Sequence, residues 1–174
     1  MQLIAPEKPP ASWSGGLFLF VLLCLTGALL AGSKPALGPS RERGLWRKSV
    51  LALEKGDAGS AARHLRTLLL YDPENPIYLS HLGTAYESLG DLRSMVEIGE
   101  RLRRSSKPVL ACAHLPGGYE ALGEHARAEA AHRECMVMDP ENPGGRLAFA
   151  DFLERRGRSP EAASIRASLK RPKP

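Results

Sequence analysis

Two short stretches of the sequence carry residue types that could hold a metal: Cys112-x-His114 and His132-x-x-Cys135. Neutral imidazole and thiolate are zinc's preferred partners, so the four together resemble a tetrahedral ligand set. Their spacing argues against it. Two residues apart on a helix, Cys112 and His114 point about 200° apart and do not readily share an ion. Cys112, His132 and Cys135 fall instead on a seam between two helices, where buried small thiols and a packed histidine are the simpler reading. A disulfide between Cys112 and Cys135 is compatible only with an exported domain, and the sequence alone leaves that pairing open. Together with Cys24, the three cysteines make no disulfide framework. There is no nucleotide-binding glycine loop, no G-x-S-x-G elbow and no C-x-x-C-H haem attachment sequence. No enzyme, catalytic residue, metal or cofactor is expected, and no small-molecule substrate.

The elements that position these residues must be helices. Aromatic residues make up only 6% of the 174 residues, while Ala, Leu, Glu and Arg are plentiful, which suits helices packed through small and medium side chains. A formal charge of +5 could favour anionic lipid or acidic partners. The Lys and Arg residues are spread out, however, with no aromatic-interleaved basic patch, so nucleic acid is not an expected partner.

The clearest compositional break is N-terminal. Residues 9–33 carry no charge, and their centre, "GGLFLFVLLCLTGALLAG" over residues 15–32, is apolar with Trp13 at one edge. At about 1.5 Å per residue this run can cross a hydrocarbon core of roughly 30 Å, and it reads as a single transmembrane helix after a short tail over residues 1–14. A cleaved signal peptide, exiting at Ala31-Gly32-Ser33, is the alternative. Lipidation at Cys24 is not expected, because that residue lies in mid-run behind Leu22 and Leu23. Lys8 stands alone before the span, whereas Lys34, Arg41, Arg43, Arg47 and Lys48 follow it, a balance that favours a cytoplasmic C-terminal domain. A signal anchor that exports the domain is the opposite arrangement. Residues 33–41 are rich in Gly, Pro and Ser and read as a linker, with a helical domain over 42–170 and a basic tail over 171–174.

Within the domain the chain repeats itself. Gly56, Gly90, Gly123 and Gly157 recur at spacings of 34, 33 and 34, each after a helical pattern and each before a polar residue. A glycine at such a place ends a helix in a left-handed conformation, and a short turn starts the next. Each unit is thus a helical hairpin. In the same register Lys48, Leu82, Leu115 and Phe149 precede Ala52, Tyr86, Tyr119 and Leu153 by four residues, which puts each pair on one helix face. In the second helices Ala61, Met95, Ala128 and Ala162 form a mostly small column, and Leu68, Leu102, Cys135 and Leu169 stand seven residues later. The phrase "DPENP" occurs twice, over residues 72–76 and 139–143, as punctuation between hairpins. Asp-Pro stops one helix, and Asn-Pro caps and opens the next.

The 34-residue period, the helix-turn-helix unit and Leu82-Gly83 followed by Tyr86, Gly90 and Met95 resemble the tetratricopeptide repeat family. The unit "NPIYLSHLGTAYESLGDLRSMVEIGERL" carries most of that family's pattern, and the next, "AHLPGGYEALGEHARAEAAHRECMVMDP", carries it with faults. The resemblance covers nearly all the chain outside the anchor and linker. It implies an all-α solenoid of about four hairpins behind one transmembrane helix. Two departures stand out. Pro116, Gly117 and Gly118 lie inside the first helix of the third unit, which should be kinked or split. The first unit has Lys48 and Ser49 where an apolar and a small residue are usual, as in a terminal cap.

The resemblance further implies that the first helices line a concave groove that holds an extended peptide or a partner helix. In this register the exposed groove positions are Trp46, Val50 and Leu53, then Ser80, Thr84 and Glu87, then Ala113, Gly117 and Glu120, then Leu147, Asp151 and Glu154. The groove would be mixed apolar and acidic, without the Lys, Asn and Arg set by which one subclass grips a terminal carboxylate. Trp46 and Val50 could instead pack against the linker or a membrane-proximal segment. The expected function is a scaffold tethered to a bacterial inner membrane, with a protein or peptide client. Similar anchored proteins act in cytochrome c maturation and envelope complex assembly. The alternative is a permanent accessory subunit of a larger membrane complex, with Gly27 and Ala31 suited to close helix contact.

Overall fold

The four register glycines are the only residues with positive φ among those described, at 75°, 71°, 78° and 74° for Gly56, Gly90, Gly123 and Gly157. A side chain there would strain the backbone, which is why the sequence returns to glycine every 33 or 34 residues. The turn is the same four times. The amide of the next residue (Asp57, Asp91, Glu124 and Arg158) donates back to the carbonyl of Ala52, Tyr86, Tyr119 and Leu153 at 2.8, 3.0, 2.8 and 2.9 Å. This bond satisfies a carbonyl that the helix end would otherwise leave unpaired.

In the computed structural model residues 37–169 are described. They form α1 (Pro39–Glu54), α2 (Ala58–Leu69), α3 (Pro76–Leu89), α4 (Leu92–Arg103), a 3-10 segment (Pro108–Ala113), α5 (Leu115–Ala121), α6 (His125–Met138), α7 (Pro143–Arg155) and α8 (Ser159–Leu169). Each helix packs on its hairpin partner, and each second helix packs on the first helix of the next unit. The expected in-line stacking of four hairpins is therefore present, with no strand among the described residues. The last three residues of the expected linker, 39–41, belong to α1. The span over 15–32, the tail over 1–14 and the basic end over 171–174 lie outside the described residues.

Both copies of the repeated phrase work as punctuation. The side chain of Asn75 accepts from the amides of Ile77 and Tyr78, and that of Asn142 from the amide of Gly145, with Pro76 and Pro143 opening the helices. In each copy the Asn side-chain amide also donates to the preceding Asp: to Asp72 at 2.9 Å and to Asp139 at 3.2 Å. The small column Ala61, Met95, Ala128 and Ala162 is buried throughout, and Leu68 and Leu102 are buried on the same helices. Lys48 is exposed while Ser49 is fully buried, its hydroxyl donating to the Trp46 carbonyl at 2.7 Å.

The third unit is split, as Pro116 requires. A 3-10 segment ends at Ala113, His114 leaves helical geometry, and α5 restarts with the proline in its first turn, where no amide hydrogen is needed. Three glycines let the broken helix sit close to its neighbours. A Cβ on Gly83 would lie 2.8 Å from the His114 ring, one on Gly99 2.6 Å from Leu115, and one on Gly118 2.6 Å from Val96.

Candidate docking face

None of the twelve groove positions is buried: all are half-buried or exposed, and they are spread over the four first-helix segments. The structure gives them different duties. Trp46 is half-buried against α3, its ring 5.4 Å from Tyr78 and edge-on to His81 at 4.7 Å. It joins hairpins one and two; the membrane-proximal segment and linker residues 33–36, the alternative packing partners expected from the sequence, lie outside the described residues. Beneath it the Tyr78 hydroxyl donates to Glu42 at 2.5 Å, and burial together with that carboxylate pushes the phenol up to about 12. Val50, Leu53 and Ser80 are half-buried, whereas Thr84 and Glu87 are exposed.

Glu120 of α5 and Asp151 of α7 line one recess of about 340 Å³, together with Cys112 and Cys135. Their charges are not free. Arg155 binds both oxygens of Glu120, at 2.7 and 2.8 Å, and holds its carboxyl below the usual carboxylate range. Arg166 donates to Asp151 at 2.7 Å and to Glu154 at 2.6 Å. At this end of the expected mixed apolar and acidic groove the carboxylates are paired with arginines from other helices, Arg155 of α7 with Glu120 of α5 and Arg166 of α8 with Asp151 and Glu154 of α7, which spacing within one helix does not reveal.

Cys112, His114, His132 and Cys135 have separate roles. Cys112 and Cys135 form a disulfide with Cα atoms 5.7 Å apart, which ties the 3-10 segment to α6. His114 is 1% exposed beneath Gly83, with the Ser80 backbone near its ring and no hydrogen bond of good geometry on either ring nitrogen among the described residues. His132 stacks on Phe149 at 5.2 Å and also meets Phe152 at 5.2 Å. Burial lowers the pKa of both imidazoles, against a weaker opposing pull from Glu87 on His114 and from Glu120 on His132. No group of three or more potential metal ligands occurs among the described residues.

Serial hairpins closed by left-handed glycines have solved counterparts. A crystal structure of MamA superposes with a TM-score of 0.66 at 18% identity, over 74% of this chain and 75% of that one. The chain has the tetratricopeptide-repeat fold. A tetratricopeptide repeat protein from Parabacteroides merdae matches at a TM-score of 0.63 and 20% identity, over 91% of this chain and 60% of that one. Tetratricopeptide-like repeats of a kinesin light chain from Podosopora anserina match at 0.64 and 16%, over 88% and 84%. No family model matches the sequence, and no curated protein matches it. The recess lined by Glu120 and Asp151 lies between α5 and α7, the first-helix segments of the third and fourth units.

What the sequence register missed is the cleft itself. It exists because small residues face each other across the third and fourth units: Ala113 and Gly117 on one wall, Gly145 and Ala148 on the other. The signal was the set of glycines at Gly117 and Gly144, where the second unit carries Thr84 and Ile77, with Gly145 beside them.

Proposed function

We infer that this chain is a membrane-tethered tetratricopeptide-repeat scaffold that docks a segment of another polypeptide on its first-helix face, with no catalytic chemistry of its own. The observation that carries this reading is the open face: Thr84, Glu87 and the paired Glu120 and Asp151 stay accessible along successive units, and a cleft opens between the last two. The tether rests on the apolar sequence over 15–32; among the described residues no helix is long and apolar enough to cross a membrane. The Cys112–Cys135 bond favours the oxidising face of that membrane over the cytoplasmic face that the basic residues favour, since cytosolic thiols are kept reduced. Assembly of an envelope complex, cytochrome c maturation among the candidates, is the kind of process such a tether and face would serve. Confinement to a membrane raises the effective concentration of a client without adding contacts.

The test is photocrosslinking in cells from a photoreactive residue at Thr84 on α3, with Arg93 on the second-helix side as control. Capture of a discrete polypeptide from position 84 and not from 93 is the expected result. Capture from 93 alone would overturn the assignment of the face.

A further inference from the structure

A second recess, of about 380 Å³, adjoins the first across the disulfide; both are lined by Cys112, Ala113, Cys135, Gly145 and Ala148. Its walls are apolar, with Val109, Leu110 and Met136 facing the start of α7, and Val109 is 41% exposed although it is a large aliphatic residue. The charges in the two recesses differ in how they are satisfied. Glu120 is held by Arg155, Asp151 by Arg166, and Asp139 accepts from the Asn142 side chain. The amide of Arg146 donates to the Asn142 carbonyl, whereas its side chain makes no hydrogen bond or ion pair among the described residues and its Nε is buried without an acceptor.

We propose that this cleft binds an extended segment of a partner polypeptide that places an aliphatic side chain between Val109 and Ala148 and a single carboxylate on Arg146. The inference rests on the docking reading above and names its chemistry. A guanidinium offers a planar fork of donors that matches a carboxylate, and the terminal nitrogens of Arg146 are the part of that fork left for a ligand in the recess. Asp139 lines the same recess, so a second acid on the segment would be repelled; one carboxylate beside aliphatic residues is selected, not an acidic run. The residues shared by the two recesses are small, which leaves room for a main chain to cross the disulfide from one to the other. Arg146 is outside the twelve groove positions, so this is a separate contact from the carboxylate grip that the sequence lacks.

The experiment uses the full-length, oxidised chain in mild detergent to select from a displayed library of random dodecapeptides, with affinities of the selected peptides read by fluorescence anisotropy. Selected peptides are expected to share one Asp or Glu close to an aliphatic residue. Changing that acid to its amide should weaken binding about tenfold or more, and Arg146→Glu should do the same. On the Arg146→Glu protein the acid-to-amide change should lose its effect. Ala148→Arg, at an exposed position, fills the recess and should also weaken binding; it serves where Arg146→Glu melts early by circular dichroism. Peptides that bind without an acid, prefer basic residues, or ignore both substitutions would overturn this inference while leaving the docking function standing. Failure to select any peptide would overturn both.

Discussion

Tyr119 of α5 donates its hydroxyl hydrogen to Glu100 of α4 and accepts one from Arg127 of α6 at 2.7 Å, with the Arg127 guanidinium 4.1 Å from the ring centroid. One side chain thus fastens the short, split first helix of the third unit to the second helices on both sides of it. Burial and the Glu100 carboxylate push its phenol up to about 12, so it remains a donor at any physiological pH. Tyr119→Phe should therefore cost about 1.5–3 kcal/mol, the range for a lost hydrogen bond to a charged partner. A denaturant midpoint unchanged by the substitution would show that the contact contributes nothing.

The disulfide closes a loop of 23 residues that contains the break at His114 and all of α5. Chain entropy assigns such a loop about 3 kcal/mol. Replacing both Cys112 and Cys135 with Ala should lower the unfolding midpoint accordingly, and the chain isolated without reductant should gain two mass units on reduction. A chain purified with both thiols free would contradict the pairing and the oxidising compartment together.

Gly83 and His114 occupy one another's space. Gly83→Ala brings a methyl carbon 2.8 Å from a fully buried ring that has nowhere exposed to move, so about 1–3 kcal/mol of destabilisation is expected. His114→Ala in the same chain should restore part of that loss, because the two effects meet in one contact. Strict additivity of the two substitutions would rule out the close approach.

Acid should weaken the fold before its carboxylates titrate. His114 and His132 are held below the ordinary imidazole value of 6.5 by burial, so the unfolded chain takes up protons first. Their contribution is complete above about pH 6.5 and is lost as pH falls from there through the folded values. Glu120, Glu129 and Glu154 are held below 4.5 by arginines, and their contribution is lost only at more acid pH. Melting temperature should thus decline between pH 7 and pH 5, with a shallower slope in His114→Leu. An identical slope in that variant would remove His114 from the account.

The parts of this fold legible in the sequence were those fixed by backbone chemistry within a few residues. Gly56, Gly90, Gly123 and Gly157 announce left-handed turns because other residues tolerate them poorly, and Asn75-Pro76 and Asn142-Pro143 announce helix starts because capping acts over one turn. Pro116 announced the split helix for the same reason. The docking face was legible as a register of positions but not as a surface. Whether Glu120 and Asp151 are free depends on Arg155 and Arg166, 35 and 15 residues away, and whether Trp46 is open depends on Tyr78 and His81. Cys112 and Cys135 could not be paired from spacing, since the distance between them is set by how the 3-10 segment returns to α6.

The claim on which the function rests is that partners meet the first helices and leave the second helices bare. Amide hydrogen exchange on the full chain, with and without the polypeptide captured from position 84, measures this directly. Added protection in α3, α5 and α7, with α2, α4 and α6 unchanged, is the predicted result; added protection confined to α2, α4 and α6 would contradict it.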